Sequence, residues 1–217
     1  MTTFGWPEAL FLLRAAGWTL LLTAIAFLIG SLIGGVFAIM RLSRIKLLRR
    51  IAATYILVIQ SIPVLMVLFM SYYGLSLFGV ELPPFLAASA SLAIYVSAYL
   101  AEIWRGSIES VPFQQWEASA SLAHSPAQTY RYVILPQAIR ISLPPTVGFL
   151  VQLVKNTSIV SVVGFVELAR AGQLVNNATF DSFRVFGLVA LIYFAICFPL
   201  SRLSRHLEKV MNASRPH

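Results

Sequence analysis

From Ala15 to Met40 the chain runs 26 residues without a charged side chain. As a helix that run is about 39 Å long, enough to cross the ~30 Å hydrocarbon core of a bilayer with some tilt. Lipid offers no water to hydrogen-bond a free backbone, so a run of this kind is held to helix. Further apolar runs cover Ile51–Val80, Phe85–Ala101, Ile141–Val166 and Val185–Ser201. Only 11% of the residues are charged, against roughly 25% in a soluble domain. The expected fold is all-α, a polytopic membrane protein forming a single transmembrane domain over residues 1–217. Its five transmembrane helices are expected at 15–40, 63–79, 84–104, 141–166 and 185–201.

The basic residues sort the ends. Arg41, Arg44, Lys46, Arg49 and Arg50 follow the first run, and Arg202, Arg205, Lys209 and Arg215 follow the last. Arg14, Arg170 and Arg184 are the basic residues on the opposite side, so the positive-inside rule places the N-terminus outside and the C-terminus in the cytoplasm. Glu8 precedes Arg14, and no small-residue cleavage site follows, so the first run is expected to stay as a span rather than leave as a signal peptide. The net charge of +8 lies at span ends and is not interleaved with aromatics on a polar surface, which argues against a nucleic-acid partner. Cys197 is the single cysteine, and His124, His206 and His217 are scattered, which gives no metal-ligand spacing and no disulfide. No nucleophile–base arrangement, paired carboxylates or phosphate-binding glycine loop occurs. No catalytic residue is assigned, and any ATP would have to be bound by another subunit.

Several features subdivide the runs. Gly30 and Gly34 form a small-xxx-small pair suited to close helix approach. Gln60-Ser61-Ile62-Pro63 interrupts the second run, which predicts a short membrane-embedded helix, a break near Pro63 and then span two. Glu102 and Arg105 fall three apart at the end of span three, where a structural ion pair is expected. Residues 111–136 are helix-forming but too polar to cross. Pro112 opens a helix reaching about Leu122, Ala123-His124 turn, and Ser125-Pro126-Ala127-Gln128 carries a capping box that starts a second short helix. Pro136 is expected to close it. Near the middle of span four stands Lys155, which costs about 2.5–3.5 kcal/mol to insert at a bilayer centre. It therefore requires a polar cavity or a partner, and Asn156, Thr157 and Ser158 extend the polar surface around most of a turn. These four, with Gln60 and Ser61, are the candidate pathway residues. Glu167 to Arg184 is expected to be an external, partly structured loop.

Taken together, EASASLA (Glu117–Ala123), VILP (Val133–Pro136) and QSIPVLMVLF (Gln60–Phe69) resemble the motifs of permease subunits of ATP-binding cassette importers for polar amino acids. The first pair looks like that family's EAA loop. The resemblance is dense over Gln60–Leu174, and it implies a type I importer permease fold in a bacterial cytoplasmic (inner) membrane. It also implies a loop whose first helix enters a groove on an ATPase, with Glu117, Ala118, Ser119, Leu122 and Ala123 at the matching positions. The implied partners are two ATPase subunits that bind ATP and magnesium, a second permease (identical or similar) and an extracytoplasmic substrate-binding protein, in a lipid bilayer. Three departures stand out: Ala123 where the family usually has glycine, Gln114 where glycine usually precedes the glutamine, and Lys155-Asn156-Thr157 where members often read Lys-Asp-Thr. The last leaves a cation without an adjacent carboxylate and suggests acidic or neutral polar amino acids over cationic ones. A self-contained channel or ion-coupled carrier is the rival reading; the absence of an inverted repeat argues against the carrier.

Overall fold

The computed structural model describes residues 4–213, with side chains to Met211; Arg215 and His217 lie outside the described residues. The elements are α1 (Trp6–Leu42), α2 (Lys46–Ser61), α3 (Val64–Gly74) and α4 (Pro84–Glu109). They continue with α5 (Phe113–Ser121), α6 (Pro126–Val163), α7 (Leu168–Thr179) and α8 (Ser182–Ala213). No strand occurs among the described residues. Four helices, α1, α4, α6 and α8, are long and apolar enough to cross a membrane, and the bent pair α2–α3 makes the fifth.

The centre of the bundle is α4. Its apolar window is 67% buried inside the protein, against 28% for α1 and 22% for α8, whose outer faces are left for lipid or another subunit. The glycine pair explains the most extensive helix contact, α1 on α4. A Cβ on Gly30 would stand 2.5 Å from Val96 Cγ1 and 2.8 Å from the Ala93 carbonyl, and one on Gly34 would stand 2.8 Å from the Ser97 carbonyl. Backbone lies against backbone here, which only glycine permits. Around this seam Leu22, Ala26, Leu92, Val96, Leu100 and Leu153 form the main core.

At Ile62-Pro63 the chain bends by 104°, because Pro63 removes an amide and pushes Ile62 into extended backbone (φ −105°, ψ 133°). The expected break is there. Beyond the break the helix widens into a π-helical stretch at Met70–Gly74, Leu75 and Ser76 continue it, and Gly79 (φ +77°) turns the chain back. Two ties dock α2 on α4. Tyr55 Oη lies 2.6 Å from Ser97 Oγ, and Gln60 Nε2 donates to the Ala98 carbonyl at 3.3 Å.

Pro136 does not close a short helix. A π-helical stretch, Thr129–Ile134, precedes it, and this wider turn accommodates the proline's missing donor and ring without ending the helix. The capping box at Ser125 therefore starts a 38-residue rod, α6, which continues through Pro144 and Pro145 and tightens into a 3₁₀ stretch at Thr157–Val163. Gly164, at φ +85°, ends it. Ser204 of α8 donates to the Pro144 carbonyl at 2.8 Å, tying the two helices where the prolines interrupt the ladder. Spans one, three and five also extend beyond the apolar runs, since Leu42, Glu109 and Ala213 still lie in helix; hydropathy marks the lipid-crossing part of a helix, whereas hydrogen bonding continues into water.

A Gly34→Ala variant is expected to lose about 1–3 kcal/mol, because the new methyl must displace the Ser97 backbone. Gly17, whose Cβ would meet nothing within 4 Å, is expected to accept alanine without loss. Thermal unfolding of the two detergent-solubilised variants compares them directly.

Candidate functional site

Two regions concentrate polar chemistry, one at each end of α6. At its foot, α5 and the Ala123-His124 turn form a compact unit. Ser119 is buried, and its Oγ lies 3.1 Å from His124 Nδ1 and 2.9 Å from Thr129 Oγ1. The Ser125 N–H bonds Gln128 Oε1 at 2.8 Å, completing the expected capping box. Trp116 packs edge-on against Tyr130, with ring centroids 5.2 Å apart. Thus α5 is locked to the first turns of α6. Of the five residues aligned with the coupling helix, Glu117, Ala118, Leu122 and Ala123 lie on the exposed face, and Ser119 points inward. Phe113 (70% exposed) and Leu122 (71%) share that outward surface. Ala123 itself takes the left-handed conformation, φ 57°, at a cost of about 1–2 kcal/mol that glycine would avoid.

Near the C-terminal end of α4, Arg105 bridges Glu102 and Glu109 on one face, so the expected pair forms and gains a third member. Arg41 of α1 adds its positive field to Glu102. All three side chains of this cluster belong to α4, where they pair along one face of its last turns.

Towards the other end of α6, the run Lys155–Ser158 fans out rather than forming one patch, because successive helical residues point about 100° apart. Lys155 is exposed at the rim of a groove of about 730 Å³ between α6 and α8, lined also by Gly148, Tyr193 and Cys197. That places it level with the middle of the uncharged run Val185–Ser201 of α8. Asn156 turns inward and is 8% exposed. Its Oδ1 accepts from Gln152 at 3.3 Å, while its Nδ2 is buried against the Tyr95 hydroxyl without a full hydrogen bond. Beside it, Tyr95 and Tyr99 of α4 and Phe149 of α6 form an aromatic cluster, Tyr99 and Phe149 stacked at 5.2 Å. Thr157 is fully buried and donates to the Val154 carbonyl, and Ser158 donates to the Lys155 carbonyl. Gln60 is held by α4 as described, and Ser61 is exposed at the break. Sequence reading missed Tyr95, Tyr99, Phe149 and Gln152. The spacing of Tyr95 and Tyr99 is the one signal that could have placed them on a common face of α4.

A second buried polar node was also missed. Glu167, in the connection between α6 and α7 and outside the spanning helices, is fully buried. Its Oε1 accepts the Arg170 N–H at 2.9 Å, capping α7, and its Oε2 accepts from Tyr193 Oη at 2.9 Å and Thr19 Oγ1 at 3.3 Å. One side chain therefore joins α1, α7 and α8. Burial pushes its carboxyl above the ordinary value of 4.5, an effect opposed by these hydrogen bonds. Among the described residues no three His, Cys, Asp or Glu side chains converge to hold a metal.

A bent second span, a centrally buried α4 and a polar helical foot leading into the longest rod together define a membrane-embedded transport subunit of the type I importer architecture. The chain belongs to the family described as the inner membrane component of binding-protein-dependent transport systems, whose sequence profile matches residues 26–212. It is 37% identical over 199 residues (92% of this chain, 88% of the relative) to a probable amino-acid ABC transporter permease, YckA, of Bacillus subtilis. It is 38% identical over 195 residues (89% and 90%) to a probable glutamine ABC transporter permease, GlnM, of the same organism. Among solved structures, an amino acid ABC transporter with histidines matches with TM-score 0.87 and 38% identity, over 92% of this chain and 93% of that one. The MetNI methionine transporter shares the fold at 22% identity and TM-score 0.73. The protein is thus a multi-pass amino-acid ABC transporter permease subunit.

Two outcomes follow from these geometries. Ala123→Gly should relieve the strained turn and stabilise the chain by about 0.5–1 kcal/mol, read as a raised melting temperature. For Glu167, the raised carboxyl gives stability that is complete below 4.5 and is lost as pH rises through the raised value. The wild-type melting temperature should therefore fall across that interval, and Glu167→Gln should flatten the slope.

Proposed function

We propose that the chain forms the translocation pathway of an ATP-driven importer of a polar amino acid, acidic or neutral in preference to cationic. It would lie with its N-terminus outside and C-terminus inside, in a bacterial cytoplasmic membrane. Two ATPase subunits carrying ATP and magnesium sit beneath it. A second permease, identical or similar, flanks it, and an extracytoplasmic binding protein delivers the substrate. The observation that carries this reading is the continuity of α6. Its 38 residues, about 57 Å of helix, run from the turn locked to α5 past Asn156 to Val163. Force applied to Glu117, Ala118, Leu122 and Ala123 by a moving ATPase would pass along this rod to the polar residues at its far end.

The substrate preference is supported by the donors at that end. Asn156 Nδ2 makes no full hydrogen bond among the described residues and has the Tyr95 hydroxyl beside it, and Tyr95, Tyr99 and Gln152 are uncharged. Lys155 is a cation in the same stretch of helix, and the carboxylate of Glu167, which reaches Tyr193 on the wall of the Lys155 groove, is already engaged by Tyr193, Thr19 and the Arg170 N–H. The relative named for glutamine transport is consistent with a neutral polar substrate.

In proteoliposomes with the assembled transporter and its binding protein, glutamine or glutamate should be taken up ahead of arginine; a preference for arginine would sink the substrate assignment. Lys155→Ala should lower uptake while the ATPase still co-purifies, and Asn156→Ala should raise the transport KM roughly tenfold, the effect of one lost buried hydrogen bond of about 1.4 kcal/mol. Unchanged kinetics in both variants would remove this segment from the pathway.

A further inference from the structure

A furrow on the surface of the bundle has no role in the reading above. Its upper part is an apolar slot of about 470 Å³ between α1, α4 and α6, with Gly35, Ala38, Trp104 and Ala138 among its walls. The rim residues Ile39, Ile139 and Leu143 are exposed, so the slot opens to the outer side of the bundle. Its lower part is a wider basin of about 890 Å³, bounded by Arg44, Trp116, His124 and Thr129. Ile39, Ile108 and Leu135 belong to both, which makes the two spaces continuous.

The furrow changes chemistry along its length. Beside the slot runs the uncharged part of α1, and at the basin α1 ends at Leu42 and the chain enters its densest basic segment. Arg44 is exposed and takes part in no hydrogen bond or salt bridge among the described residues, and Lys46, Arg49 and Arg50 follow on α2. An apolar slot open to the outer side of the bundle that leads to a cationic mouth at the bilayer surface is complementary to one class of molecule. We propose that the furrow binds an anionic phospholipid, one acyl chain in the slot and the phosphate at Arg44. The headgroup would then lie against His124, in the turn that joins α5 to α6, so the anionic lipid content of this leaflet would bear directly on the element that meets the ATPase.

The protein carries probes of its own. Trp104 lines the slot and Trp116 the basin. Trp6 and Trp18 are exposed elsewhere (75% and 49%) and would be replaced by phenylalanine. With the full chain in phosphatidylcholine nanodiscs, a low mole fraction of phosphatidylglycerol with brominated acyl chains should quench Trp104 and Trp116 more strongly than brominated phosphatidylcholine at the same fraction. Arg44→Gln should reduce that preference about fivefold. Arg50→Gln, equal in charge but outside the furrow, should leave it intact, and Ile39→Phe, which narrows the junction, should weaken quenching of Trp104. Native mass spectrometry of the assembled transporter should show phosphatidylglycerol retained by the wild type and by Arg50→Gln but lost from Arg44→Gln. Equal quenching by the two lipids would overturn the proposal. So would equal losses in Arg44→Gln and Arg50→Gln, which would mean diffuse surface attraction, or loss of the lipid on assembly, which would mean that another subunit fills the furrow.

Discussion

The close approach of α1 to α4 sets the rest of the structure. In a membrane, helices gain little from the hydrophobic effect on meeting one another, so dispersion and backbone proximity must hold them together. Gly30 and Gly34 supply that proximity by leaving no atom between α1 and the backbone of α4 at Ala93 and Ser97. With α4 fixed at the centre, its other faces become available to α2 through Tyr55 and Gln60, and to α6 through Tyr95, Tyr99 and Phe149. Gln60 of α2 and the stretch of α6 that carries Lys155–Ser158 therefore belong to helices packed against the most buried helix of the bundle.

Proline placement determines what can move. Pro63 follows the last turn of α2, has no wider turn before it, and breaks the span outright. Pro136 stands two residues beyond a π-helical stretch and leaves the helix continuous. The same residue type thus gives a hinge in one span and a rod in another, because in lipid a freed carbonyl must find a new partner and the local winding decides whether one is in reach. The rod carries the mechanical argument: its foot is fixed to α5 by the Ser119, His124 and Thr129 contacts, and its far end carries Asn156. Glu167 has the opposite role. Its carboxylate gathers Thr19, Tyr193 and the first turn of α7, holding the end of the bundle remote from α5 while the foot remains accessible.

The sequence by itself determined the helical class, the long apolar helices, the break at Pro63, the glycine seam, the Ser125 capping box and the Glu102–Arg105 pair. Each of these depends on residues close in the chain or on the plain energetics of burying charge and backbone in lipid. Only the tertiary structure decided that α6 passes through Pro136, that Ser119 points inward from an otherwise outward-facing set, and that Lys155 and Asn156 look in different directions. It alone also placed Tyr95 and Tyr99 beside Asn156, and Glu167 between α1 and α8. These depend on which elements lie opposite one another. A carboxylate at position 167 reads as part of a solvated loop until Thr19 and Tyr193, distant in sequence, are folded against it, since one-dimensional patterning records a residue's polarity but not the partners that make its burial affordable.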